Sequence, residues 1–212
     1  MRPRPVELPR LPSRGFVVGG LDGVTFRNET GEILLELDDL TLVGNHGAPG
    51  VWFRVSRRTY FRLDVIGHRL IPVGRVEAMA RMYEEGPEPE LRPPPGQRVH
   101  GRVAGHWRYV IPSPVGDVVL AQWSGECEHP SVYWLEGDEG PRLVIDPPEV
   151  DVATDSIALG WSRDGLAYIH AREGYCGGPG NPPGVYAYER PLSGSLIFET
   201  GPRESVAMWM TT

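Results

Sequence analysis

The chain has 212 residues, and glycine (27) and proline (22) together occupy nearly a quarter of them, about twice their usual share. Helix-breaking residues at this frequency exclude a helix bundle, and the many aromatic and branched apolar residues exclude a disordered chain, so short strands joined by turns are predicted. The net charge is −7 and all 21 residues counted as lysine plus arginine are arginines, which excludes Schiff-base chemistry and every site that needs a lysine.

Residues 1–14 carry four arginines and four prolines and predict an extended lead-in that is mostly without partners. This segment lacks the apolar stretch of a secretory signal, and no part of the chain approaches the roughly 18 apolar residues of a membrane span. We therefore expect a cytoplasmic protein that does not insert into a membrane, or an extracytoplasmic one if a signal peptide has been removed.

The first half of the chain predicts strands followed by one helix. The apolar stripe of the helix is Val76, Met79, Ala80 and Tyr83, within residues 75–85, a spacing typical of a packing helix. The proline-rich residues 86–97 predict a linker or a long loop, a possible sub-boundary inside one domain that spans residues 15–212. The predicted strands are 16–18, 23–26, 33–37, 51–55, 59–65 and 68–73.

The second half predicts strands at shorter and more regular intervals. Spacings of about 8–12 residues between short strands are typical of β-sandwiches, barrels and propellers. The predicted strands are 108–111, 118–123, 132–135, 143–145, 157–161, 167–170, 185–188 and 196–199.

An internal repeat favours the propeller. Gly116 and Gly165 lie 49 residues apart, each before an apolar strand; steps of 49 and 44 residues further back reach Gly67 and Gly23. A Val-Tyr pair and then a glutamate follow both later glycines, as VYWLE and VYAYE. A turn between the first strands of a blade needs a residue that tolerates positive φ, which explains the glycine. Four units of about 45 residues match four-stranded blades.

The two later turns carry a resemblance to a known family. PSPVG followed by VVLAQWS, and WSRDG followed by LAYIHA, resemble the Ser-Pro-Asp-Gly turn and following strand of TolB-type β-propeller repeats. Residues 108–200 carry the resemblance, while residues 16–100 carry only the glycine and a strand; Val115 and Arg163 depart from the pattern. The resemblance implies an interaction platform or a non-catalytic domain, and it supplies no catalytic residue.

The expected fold is therefore all-β and propeller-like with about four blades. The ring either closes within one chain, with residues 204–210 completing an N-terminal blade, or is completed by a second copy of the chain as a homodimer. A two-sheet β-sandwich is the alternative.

Two cysteines occupy corresponding loops of the two later repeats, Cys127 in GECEHP and Cys176 in EGYCGGPG. They predict a disulfide between adjacent loops or two free thiols. A zinc site that adds His129 and His170 is a third interpretation, but its spacing does not match the usual ligand pairs.

Catalytic motifs are absent from the sequence. It contains no Gly-x-Ser-x-Gly elbow, and the spacing of its six histidines singles out none of them. We therefore predict no catalytic residue, no metal and no cofactor. The acidic net charge argues against nucleic-acid binding, and we interpret the arginine cluster as an exposed strand face with a basic turn rather than a phosphate site. That cluster is Arg54, Arg57, Arg58 and Arg62.

The predicted function is a non-enzymatic protein- or peptide-binding or scaffolding module. Its binding surface is predicted in the loops of one propeller face, residues 125–130 and 174–184, because long Gly-Pro-rich loops with nearby aromatic residues suit such contacts. The alternative is a small hydrolase or lyase with a site in the central cavity. The candidate binding residues are Cys127, Glu128, His129, Trp134, Tyr175, Cys176 and Tyr186.

Overall fold

A computed structural model describes residues 3–20, 23–43, 50–82, 91, 94, 98–99, 102–103, 105–124, 130–138, 140–144, 156–172, 182–191 and 193–211. The fold is all-β, as predicted, with antiparallel sheets. The chain divides into two compact units: unit 1 comprises residues 1–84 and 203–212, and unit 2 comprises residues 85–202. Unit 2 thus begins next to the predicted sub-boundary.

Every strand predicted from the sequence is present, with bounds that differ by a few residues. The strands of unit 1 include β1 (Val6–Glu7), β2 (Arg14–Gly19), β3 (Gly23–Arg27), β4 (Ile33–Asp38), β5 (Thr41–Leu42), β6 (Trp52–Ser56), β7 (Thr59–Asp64) and β8 (Arg69–Val73), followed by α1 (Arg75–Met82). Unit 2 contains β9 (Arg98–Val99), β10 (Arg102–Val103), β11 (His106–Pro112), β12 (Val118–Ser124), β13 (Pro130–Glu136), β14 (Arg142–Leu143), β15 (Ser156–Trp161), β16 (Ala167–Ala171), β17 (Gly184–Tyr188) and β18 (Gly194–Glu199). The chain returns to unit 1 with β19 (Ser205–Met210).

Unit 1 contains two sheets, with strand orders β19-β2-β3-β4 and β1-β8-β7-β6-β5. The strand predicted over 204–210 completes the N-terminal sheet, since β19 pairs with β2 along its whole length. Inward side chains of both sheets form one core, in which Phe26 lies 5.9 Å from Phe53 and 5.7 Å from Trp209 between ring centroids.

The N-terminal lead-in contacts unit 1 along much of its length, so the expectation that it is mostly without partners is wrong. Its β1 pairs with β8, and Leu8 and Leu11 are buried in the core. The carbonyl oxygen of Pro12 accepts a hydrogen bond from Trp209 Nε1 at 3.1 Å. Proline limits donation by the backbone but leaves the carbonyl groups free to accept, and the two leucines provide apolar surface for burial.

Helix α1 is described over Arg75–Met82, and the side that it buries differs in part from the predicted stripe. The predicted stripe was Val76, Met79, Ala80 and Tyr83, and Tyr83 lies outside the described residues. Ala78 and Met79 pack against Trp52 and Tyr60, whereas Val76 is 85% exposed. Of the predicted stripe, Met79 is confirmed as a packing residue, whereas Val76 and Ala80 are exposed and were predicted wrongly. The small Ala78 faces the sheet and permits close approach of the helix.

Unit 2 contains two four-stranded antiparallel sheets, β11-β12-β13-β14 and β15-β16-β17-β18, in which strands consecutive along the chain are neighbours. Leu120 and Trp134 of the first sheet share a core with Ile169 and Tyr186 of the second. A separate cluster around Trp107, with Ala121, Trp123 and Tyr133, lies on the other face of the first sheet.

The predicted turn glycines of unit 2 have positive φ, 71° at Gly116 and 88° at Gly165. In each turn the backbone N–H of a serine, Ser113 or Ser162, donates at 2.8 Å to the carbonyl group at the start of the next strand. The two earlier glycines differ from these: at the β7–β8 turn the positive φ, 48°, belongs to His68 rather than Gly67, and Gly23, with a φ of 156°, is the first residue of β3.

Both Val-Tyr pairs of the repeat lie on the third strand of their sheet. Tyr133 pairs with Ala121, the fifth residue after Gly116, whereas Tyr186 pairs with Ile169, the fourth residue after Gly165. Tyr133 lies on the face of its sheet that carries the Trp107 cluster, whereas Tyr186 lies in the core shared by the two sheets. The two tyrosines therefore pair with different positions, counted from the turn glycine, and belong to different clusters.

Candidate functional site

Most of the loop surface predicted for binding lies outside the described residues. This holds for five of the seven candidate binding residues, Cys127, Glu128, His129, Tyr175 and Cys176. The predicted disulfide, the free-thiol alternative and the zinc alternative fall on the same residues and stay predictions.

His170, the remaining residue of the zinc alternative, is buried at the centre of β16. Its Nε2 atom lies 3.3 Å from Thr200 Oγ1. Across the described ranges, no group of three or more His, Cys, Asp or Glu side chains is placed to hold a metal ion.

Trp134 and Tyr186, the two described candidates, belong to the core between the sheets of unit 2. Tyr186 donates its hydroxyl hydrogen to the carbonyl oxygen of Pro182 at 2.9 Å. Trp134 reaches the end of its sheet, where it contributes to the floor of a cavity of about 560 Å³.

This cavity, the turn groove, lies where four hairpin turns of unit 2 meet. Consecutive strands of an antiparallel meander reverse direction, so the turns β11–β12, β13–β14, β15–β16 and β17–β18 share one end of the sheets. The loops predicted for binding follow β12 and β16, at the opposite strand ends. The turn groove is lined by Ser113, Val115, Val118, Trp134, Glu136, Arg142, Trp161, Asp164, Gly165, Glu189, Arg190 and Pro191.

Two tryptophans form the floor of the turn groove. The rings of Trp134 and Trp161 meet edge to face, with centroids 5.4 Å apart and planes at 67°, a favourable aromatic geometry. Trp161 Nε1 donates to the carbonyl oxygen of Ile111 at 2.9 Å, which joins the second sheet to the first. The floor is apolar and its orientation is fixed.

The rim of the turn groove carries both signs of charge. Glu136 Oε2 accepts hydrogen bonds from Arg142 Nη2 at 2.9 Å and from Trp134 Nε1 at 3.4 Å, so this carboxylate is held in place. Among the residues that the structure describes, Asp164, Glu189 and Arg190 form no ion pair. The unpaired rim charges therefore favour a cationic ligand.

Side-chain hydrogen bonds stiffen the turns that form the rim. Ser162 Oγ accepts the backbone N–H of Leu166 at 2.8 Å, and Ser193 Oγ accepts that of Arg190 at 3.1 Å. A Cβ atom on Gly165 would clash with Val115 of the neighbouring turn, so the two turns are in close contact. A groove with preset walls loses little conformational entropy on binding.

The described lining of the turn groove offers charged groups of both signs for ionic contacts. Beneath it, burial, followed by the neighbouring Tyr186, raises the pKa of Tyr188 to about 12, which keeps this phenol neutral at physiological pH. The described lining holds carboxylates and guanidinium groups and contains no histidine that could act as a general base near pH 7.

Trp134 was predicted from the sequence as a candidate beside the long loops, whereas no residue of the rim was named as a candidate. Glu136 and Glu189 were noted as matching positions of the repeat but were not assigned to a site. The signal was available: each glutamate directly follows or ends the third strand of its repeat, and in a meander those positions lie at the end that also holds Gly116 and Gly165. Combining the repeat with strand direction would have brought them together.

Comparisons with protein-family models, with curated proteins and with solved structures gave no significant match. No helix in the described part of the chain has the length and apolar character needed to cross a membrane.

Proposed function

We propose that the chain is a non-enzymatic module that binds a short peptide segment of a partner protein in the turn groove, with a basic side chain of that segment as the anchor. The observation that supports this most directly is the groove itself: a rigid aromatic floor beneath a rim whose unpaired charges are two carboxylates and one guanidinium group.

The size of the groove suits a peptide. A volume of about 560 Å³ lies within the roughly 300–1,000 Å³ typical of sites for compact ligands. An arginine or lysine combines an apolar stem with a charged head, so its stem can contact Trp134 and Trp161 while the head reaches Asp164 and Glu189. Arg190 is then placed to donate hydrogen bonds to a backbone carbonyl or a carboxylate of the same segment.

The experiment is a selection of random eight-residue peptides on the intact chain, followed by affinity measurement on the enriched sequences by fluorescence anisotropy. We expect enrichment of arginine or lysine, and about tenfold weaker binding to Glu189→Gln, which is roughly 1.4 kcal/mol. Glu199→Gln is the matched control, because this exposed glutamate lies at the other end of β18, and it should bind within twofold of the unmodified chain. Enriched peptides without a basic residue, or equal binding to both variants, would contradict the proposal.

For the fold, we infer that the four sheets are blades of a small propeller closed within one chain. Two observations support this: the sheets are built from antiparallel meanders of neighbouring strands, and β19 supplies the fourth strand of the N-terminal sheet. We expect a solution mass by light scattering equal to that of one chain, 23.5 kDa. Twice this mass would instead favour a ring completed by a second copy.

A further inference from the structure

The β6–β7 hairpin of unit 1 carries a concentration of positive charge that the turn groove does not involve. We name Arg54, Arg57, Arg58 and Arg62 the arginine hairpin; all four side chains are exposed. Arg57 and Arg58 form its two-residue turn, since Ser56 pairs with Thr59.

Both faces of the hairpin are packed against other parts of unit 1. On one face, Phe53 and Phe61 pair across the two strands and are buried in the core of unit 1. On the other face, Trp52 and Tyr60 are covered by α1. The arginines therefore project from a fixed ribbon, and they lose little backbone entropy when they bind.

Among the described residues, the positive charge of the arginine hairpin is partly offset by Asp64, which interacts electrostatically with Arg62. Within the described residues, none of its four side chains forms an ion pair. The carboxylate of the same strand, Asp64, lies at the opposite end of the hairpin and is bound to Arg69 at 3.0 Å. The backbone N–H of Gly67, and then Arg69 and the charge of Arg62, hold the pKa of Asp64 below its usual value. The hydrogen bonds of this carboxylate go to Gly67 and Arg69 rather than to the hairpin.

We propose that the arginine hairpin is a docking surface for an acidic polypeptide segment. Arginine binds carboxylates through two parallel hydrogen bonds, and it is enriched at protein interfaces. Val55, between the arginines on β6, is 47% exposed and adds an apolar contact of the kind found at such interfaces.

The features of the hairpin favour a polypeptide over a nucleic acid. Single-stranded nucleic acids are bound by exposed aromatic rings that stack on the bases, and the aromatic rings of this hairpin are all buried. A long polyanion would also extend beyond four arginines on a chain of net charge −7, whereas a short acidic segment needs only the local surface.

The test measures fluorescence anisotropy of a labelled octaglutamate peptide on the full chain. We expect saturable binding that weakens about tenfold or more in Arg57→Glu/Arg58→Glu and that falls with added salt. The control is Arg10→Glu/Arg203→Glu, which makes the same change of charge at exposed positions of unit 1 outside the hairpin, and it should bind within twofold of the unmodified chain. Circular dichroism confirms that both variants are folded.

Three results would overturn the proposal. The first is absence of binding to octaglutamate, and the second is an equal loss in both double variants, which would indicate net charge rather than this surface. The third is tighter binding of a twelve-nucleotide single strand or of anionic vesicles than of octaglutamate, if the hairpin variant abolishes it, since the surface would then serve another class of partner.

Discussion

Units 1 and 2 are built from the same kind of antiparallel meander but differ in charge and in chain continuity. Unit 1 has 13 arginines and 11 carboxylate residues, net +2, whereas unit 2 has 8 arginines and 17 carboxylate residues, net −9. Unit 2 is one continuous segment, whereas unit 1 combines both ends of the chain.

The difference shows that the shared strand pattern does not determine what each unit presents to solvent. In unit 1 the exposed hairpin residues are arginines, which suit an acidic partner. In unit 2 the turns surround a groove with excess negative charge, which suits a basic one. In both proposals, binding is assigned to residues at turns and exposed strand positions, while the strands supply a similar frame.

The largest expected difference in stability between the two units follows from removing the aromatic side chain that β19 contributes to the core of unit 1. We expect Trp209→Ala to lower the free energy of unfolding by about 3–5 kcal/mol, because the ring is buried against Phe26 and donates to Pro12. Hydrogen exchange should show lost protection in β2 and β3, with β12 and β16 little changed.

Met210→Ala is the control for this substitution, because Met210 is 48% exposed on the same strand and its truncation should cost less than about 0.5 kcal/mol. Equal loss of protection in β12 would break the comparison, since the two units would then unfold as one.

The repeat within unit 2 allows a sharper comparison between two turns. Gly116→Ala should cost about 1 kcal/mol, the usual penalty for positive φ, since no atom lies near its added Cβ. Gly165→Ala should cost about 2–3 kcal/mol, because the same penalty is joined by a clash with Val115. Urea unfolding of both variants measures the difference, and equal costs would show that the turns are not in contact.

The smallest expected effect is a fall in the stability of unit 2 at alkaline pH. The pKa of Tyr188 is raised by burial and then by Tyr186 to about 12, so the folded state retains a proton that the unfolded state releases near pH 10. Stability should be constant below pH 10 and fall between pH 10 and 12. Tyr188→Phe should show a shallower fall in urea titrations over this range; an unchanged slope would contradict the assignment.

The strands could be predicted from the sequence because alternation and turn residues act locally. Gly116 and Gly165 mark turns whose positive φ few other residues tolerate. Strand β5 was missed because it contains only Thr41 and Leu42, too few for a periodic pattern. The side of α1 that faces the sheet depends on tertiary packing. The small side chain of Ala78 fits against Trp52, and helical periodicity alone does not predict that a small residue makes this contact.

The candidate site was harder to predict than the strands. Trp134 stood out as an aromatic residue in a strand, but the rim combines residues far apart in the chain, such as Glu136 and Glu189. Their proximity follows from the packing of two sheets, which sequence spacing does not specify. The long loops attracted the prediction because of their glycine and proline content, whereas the groove is formed by short turns.

The pairing of β19 with β2 also sets an order of folding during synthesis. Unit 2 is complete before β19 has been made, so it can fold while the N-terminal sheet still has an unpaired edge at β2. An exposed strand edge invites pairing with other chains, and domains that emerge first generally fold first. Strand β19 thus covers the edge of β2, which is prone to aggregation in the nascent chain. Slow translation after residue 202 would prolong the exposure of this edge.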